Sequence, residues 1–62
     1  MPTYQDTANL HANALRLDML HVADACQHHQ DALTGSPRTD CDGQPSQLTD
    51  DDAAEIVADW LT

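Results

Sequence analysis

Thr49-Asp50-Asp51-Asp52-Ala53-Ala54-Glu55-Ile56-Val57-Ala58-Asp59-Trp60-Leu61 carries the clearest local signal in the chain. Thr49 is a helix N-cap type, and an acid follows it three positions later at the capping-box spacing. The carboxylates behind the cap also sit against the positive end of the helix dipole. Beyond the cap, Ala53, Ile56, Val57, Trp60 and Leu61 recur at i, i+3, i+4, i+7 and i+8, which makes one face apolar. Asp52, Glu55 and Asp59 project from the other. The spacing predicts a helix over about 49–61.

Working back from this helix, residues 34–48 carry Gly35, Pro37, Gly43 and Pro45 among polar residues with no periodicity. They read as a loop that is long for so small a chain, and such loops are functional, tied down or disordered. Leu48 is placed to staple the loop back onto the helix that follows.

Before the loop, Ala8, Ala12, Leu15, Met19, Val22, Cys26, His29 and Leu33 alternate by four and three. This heptad seam predicts a single helix over about 7–33, capped by Asp6 or Thr7 and stopped at Thr34-Gly35-Ser36-Pro37. At 1.5 Å per residue it is about 40 Å long, more than an unpacked helix sustains. Leu10, Ala14, Leu17, Ala25 and Ala32 form a second stripe, and one short helix does not cover both. The expected fold is therefore all-α, a helical hairpin of one long and one short helix. It is expected to complete a four-helix bundle as a homodimer, with Leu15, Met19, Val22 and Cys26 as the oligomer seam.

Size points the same way. A chain of 62 residues is one domain, and burying roughly 60% of its unfolded surface leaves a marginal core. Tyr4 and Trp60 are the only aromatic residues, so aliphatic side chains must fill the interior. No basic-then-apolar leader opens the sequence and no apolar run approaches the ~20 residues of a membrane span, so a cytoplasmic protein is expected.

Charge narrows the function classes. Seven of the eleven acids fall between Asp40 and Asp59, against two arginines and no lysine, and the formal net charge is −9. Such a field repels nucleic acid and anionic membrane and attracts basic surfaces over ~8 Å. Arg16 and Arg38 make no phosphate track, so direct nucleic-acid binding is not expected. The candidate partner-binding residues are Asp50, Asp51, Asp52, Glu55 and Asp59, with Asp40 and Asp42 in the loop. A rigid carboxylate row can occupy a groove that a partner uses for phosphates.

The remaining motifs are weak. His11, His21, His28 and His29 lie on the first predicted helix, with Asp18, Asp24 and Asp31 at ion-pair spacing for two of them, contacts of tenths of a kcal/mol. His29 falls in the seam, where a charge is costly. Cys26 and Cys41 allow one disulfide, two free thiols, or a partial zinc set with His29 that lacks a fourth ligand. Asp40-Cys41-Asp42-Gly43 superficially matches a calcium loop but places Arg38 and Thr49 at positions that require carboxylates. Ser36 and Ser46 have no base assigned by the sequence, and no Gly-rich phosphate cradle exists, so no enzyme activity, metal or cofactor is expected.

By size, charge and helix content, and by no shared motif, the chain compares with phage anti-defence (anti-CRISPR-like) inhibitors and acidic antitoxins. The leading expectation is a non-enzymatic inhibitor occupying a basic surface of a protein partner or nucleic-acid-handling complex. The alternative is a structural or regulatory homodimer whose acids serve only solubility. A Cys/His metal or redox module ranks third.

Overall fold

The computed structural model describes residues 2–62, and among these the regular structure is three α-helices, α1 (Tyr4–Arg16), α2 (Leu20–Thr34) and α3 (Asp50–Leu61). The helix expected over 7–33 is thus two helices, parted by the turn Leu17-Asp18-Met19. Asp18 takes a left-handed backbone at φ 59°. Around it, Met19 N donates to Ala14 O at 2.8 Å and Asp18 N to Leu15 O at 3.2 Å. These two bonds make a Schellman stop with aspartate in the place glycine ordinarily takes, and aspartate is one of the few side chains that tolerates it. Gly35, at φ 72°, closes α2 through the same pair of bonds, Ser36 N to Asp31 O and Gly35 N to Ala32 O.

The N-termini of α1 and α3 are capped by threonines, whereas α2 starts behind Met19 with no side-chain cap. Thr3, rather than Asp6 or Thr7, caps α1 by accepting from Asp6 N, while the buried Thr7 hydroxyl donates to Thr3 O at 2.7 Å. Thr49 Oγ1 accepts from Asp52 N at the head of α3. The two cap bonds each satisfy one amide that the helix itself leaves unpaired.

Breaking the long helix resolves the problem of its two apolar stripes. The core gathers Ala14, Val22, Ala23, Ala25, Cys26, Ala53 and Val57, with Leu10, Met19, Leu48 and Ile56 packed at its edge. Ala14 and Ala25 come from one stripe and Val22 and Cys26 from the other, which a straight helix could not turn toward one partner. The Cα radius of gyration is 10.0 Å, against about 10.6 Å for a compact chain of this length. All three helices of the chain contribute to this one core.

The segment between α2 and α3 folds into a small hairpin. Thr39 and Pro45 form an antiparallel bridge, and Ser46 N donates to Arg38 O. At the tip, Asp40 Oδ1 accepts from Asp42 N and Gln44 N, and Gly43 supplies the positive φ that the turn requires. No helix among the described residues is long and apolar enough to cross a membrane.

Candidate functional site

Asp24, His28 and Asp31 lie at i, i+4 and i+7 on α2, so they share one face, and that face grips the hairpin. Asp31 Oδ2 accepts from both the backbone N and the hydroxyl of Thr39 at 3.0 Å, and Asp24 Oδ1 accepts from Cys41 N at 3.1 Å. Partial burial opposes ionisation of Asp31, yet the Thr39 and Gln27 hydrogen bonds together hold its carboxyl below the usual carboxylate range.

Between these anchors, His28 is 2% exposed and uses both ring nitrogens. Nδ1 lies 2.7 Å from Ser46 Oγ, and Nε2 lies 2.6 Å from Asp50 Oδ1. Arg38 completes the cluster, with Nε and Nη2 donating to the two oxygens of Asp50 at 3.2 Å and Nη1 donating to Ser36 O. Hydrogen bonds from Arg38 first, and from His28 second, hold the Asp50 carboxyl down to about 2. One carboxylate thus ties the hairpin, α2 and the head of α3 together. Ser46 also opens onto a cleft of about 310 Å3 lined by His21, Asp24, Asp40, Gln47 and Leu48.

The residues expected to bind a partner separate into two groups. Asp50 is engaged in this cluster, and Asp40 caps the hairpin turn, so both have structural bonds. Asp51, Asp52, Glu55 and Asp59 are exposed on α3, as is Asp42 in the hairpin. At 100° per residue, Asp52, Glu55 and Asp59 fall within an arc of about 60°, well away from the buried Ala53 and Val57. Among the described residues the salt bridges are those of Asp50 with His28 and Arg38, so the acids of the outer face stand unpaired.

The expected seam is not one surface. Val22 and Cys26 are consumed in the chain's own core, Met19 packs at its edge, and Leu15 faces solvent beside the exposed Leu17 and Leu20. On α3, Trp60 and Leu61 are exposed as well.

The histidines and cysteines also depart from their expected company. His29, which the heptad spacing puts in the seam, is buried and its Nε2 donates to Pro2 O at 3.2 Å. Cys26 and Cys41 are both free thiols. Burial pushes Cys26 up to about 11, and burial followed by the Asp24 hydrogen bond and neighbouring carboxylates pushes Cys41 up to about 11. Neither is a thiolate at neutral pH, so neither is an activated nucleophile. Cys41 Sγ lies 3.7 Å from His11 Nε2, and no three His, Cys, Asp or Glu side chains among the described residues are grouped to hold a metal ion.

Sequence reasoning missed the Ser46, His28 and Asp50 cluster. Its one local signal is the 24, 28, 31 spacing on α2; the partners lie 18 and 22 residues farther along the chain. Comparison with protein-family models, curated proteins and solved structures finds no match to this chain, so its function is read from geometry and charge.

Proposed function

We propose that this chain is a small binding module that occupies a basic surface of a protein partner with the outer face of α3, acting as an inhibitor of that surface and not by turnover. The observation that supports the reading is the state of Asp51, Asp52, Glu55 and Asp59: exposed, unpaired and held in a row by a capped helix. Such a row presents charge on a backbone that is already ordered, which favours complementary cationic surfaces and fast association. Arg38 is paired with Asp50 at the head of α3, and Arg16 bonds Asn13 on α1, so neither arginine pairs with Asp52, Glu55 or Asp59. Inhibitors of nucleic-acid-handling complexes fit this description because their targets carry basic grooves.

The test compares two triple variants of equal charge. Asp52→Asn/Glu55→Gln/Asp59→Asn and Asp6→Asn/Asp18→Asn/Asp42→Asn each change the net charge from −9 to −6 by removing three carboxylates. Titrated with a lysine-rich peptide in calorimetry, the α3 variant is expected to lose binding while the control keeps most of it, with both variants still folded by circular dichroism at the assay temperature. Equal loss in the two variants assigns the effect to net charge and refutes the α3 face.

Self-association is a second reading, favoured by the exposed Leu15, Leu17 and Leu20 at the α1–α2 turn and by Trp60 and Leu61. Two copies of charge −9 repel, so added salt should strengthen a homodimer, whereas it weakens a complex with a cation. Sedimentation at low and high salt separates the two.

A further inference from the structure

The Ser46 hydroxyl has the surroundings that the two thiols lack. Asp50, kept ionised by Arg38, accepts from His28 Nε2 and so fixes the ring proton on that nitrogen. Nδ1 is left with its lone pair 2.7 Å from Ser46 Oγ. This is the polarity of a serine, histidine and carboxylate relay with the ring nitrogens exchanged, and either nitrogen is a competent base once the other carries the proton.

The cleft supplies two further elements. Gln47 follows Ser46 and lines the same cleft; its backbone N–H makes no backbone hydrogen bond among the described residues, while Leu48 N donates to Ser46 Oγ at 3.3 Å. A free amide one residue after a nucleophile is a position from which an oxyanion is stabilised. Asp24 and Asp40 also line the cleft, with Asp24 Oδ1 accepting from Cys41 N and Asp40 Oδ1 from Asp42 N and Gln44 N. Their field opposes the oxyanion of a neutral or anionic donor and favours a donor that brings its own positive charge.

We infer that Ser46 is an acyl-accepting nucleophile, with His28 as its base and Asp50 as a positioning residue, for small esters whose acyl group carries a cationic substituent. The inference goes beyond the α3 binding reading and stands independently of it. In the step, Ser46 Oγ bonds to the carbonyl carbon while its proton passes to His28 Nδ1, and the carbonyl oxygen becomes an oxyanion beside the Gln47 N–H. Collapse reforms the carbonyl and breaks the bond to the leaving oxygen. That oxygen departs with the electron pair and takes up the proton from His28. The step leaves the acyl group on Ser46 Oγ and returns the His28 ring to its starting protonation.

The test treats the whole protein with the p-nitrophenyl esters of glycine, acetic acid and succinic acid, and reads p-nitrophenolate release, intact mass and peptide maps. The chain has no lysine, so no ε-amine competes for the acyl group. One adduct per chain is expected at Ser46, with rates relative to spontaneous hydrolysis in the order glycyl, acetyl, succinyl. Ser46→Ala abolishes the adduct, and His28→Gln slows it by about 100-fold or more, the scale of a lost general base. Asp50→Asn slows it too, and Asp50→Glu restores part of the rate. Because His28 and Asp50 also hold the hairpin, melting curves accompany these variants, and the wild-type protein alone decides the claim. No adduct at Ser46, labelling of Ser36 at an equal rate, or rates indifferent to donor charge overturns it.

Discussion

Replacing Asp18 by glycine and by alanine should move stability in opposite directions, and the signs test the broken helix directly. Asp18 holds φ 59°, a conformation that costs an ordinary L-residue about 1–2 kcal/mol and glycine nothing. Aspartate carries only part of that cost, so Asp18→Ala should destabilise by about 0.5–1 kcal/mol. Asp18→Gly removes the strain but gives back about 0.5–1 kcal/mol to the unfolded chain's greater freedom, for a net gain of a few tenths. Glycine should therefore exceed alanine by about 1 kcal/mol, or about 4–8 °C in melting temperature for a domain of this size. In one continuous helix the order reverses, because alanine is the best helix former and glycine is about 1 kcal/mol worse. Both substitutions remove the same charge, and Asp18 makes no salt bridge among those described, so electrostatics cancels in the comparison. Thermal and urea unfolding followed by circular dichroism at 222 nm suffices. An alanine variant more stable than the glycine variant refutes the turn at Leu17-Asp18-Met19.

Three further expectations concern the core, the cluster and the thiols. Val57 is fully buried against Ala53 and the α2 core residues, so Val57→Ala should cost about 2 kcal/mol in urea unfolding from the lost methyl groups and the space left behind. The Asp50 carboxyl is depressed to about 2 from 3.8, so its contribution is complete above about pH 4 and is lost as pH falls through 2. Asp50→Asn should accordingly be less stable than wild type at neutral pH, with the gap closing between pH 4 and pH 2; a gap that is constant with pH contradicts the Arg38 and His28 bonds. With Cys26 buried, Cys41 exposed and both thiols raised to about 11, a disulfide reagent should titrate one slow thiol in the native protein and two after denaturation. Two fast thiols in the native state would contradict this burial.

What was legible in the sequence followed from local rules. The acid-flanked cap at Thr49 and the 53, 56, 57, 60, 61 spacing are short-range signals, and α3 begins at Asp50 behind a capping Thr49. The stop at Gly35 is equally local. The stop at Asp18 was not legible, because a heptad pattern continues across it and aspartate marks a left-handed turn far less often than glycine or asparagine. The histidines failed for another reason. Asp24, His28 and Asp31 read as neighbours on a solvated helix face, and the spacing was real, but the groups they grip lie beyond a loop whose path no local rule specifies. Ser46 gained a base only when the hairpin folded back on α2. The charge imbalance was visible from composition alone, whereas the diversion of Asp40 and Asp50 into internal bonds required the fold.

Four of the seven fully buried apolar core positions are alanine, at 14, 23, 25 and 53. Helices meeting through methyl groups approach closely and leave little side-chain volume to delete, so truncation at those sites has little to remove. Enlargement is another matter: an added isobutyl group at Ala23 or Ala53 has nowhere to go except between two helix backbones, and must push them apart. Drift in this protein should therefore be lopsided, with the interior closed to the bulky aliphatic residues that most small domains use to gain stability.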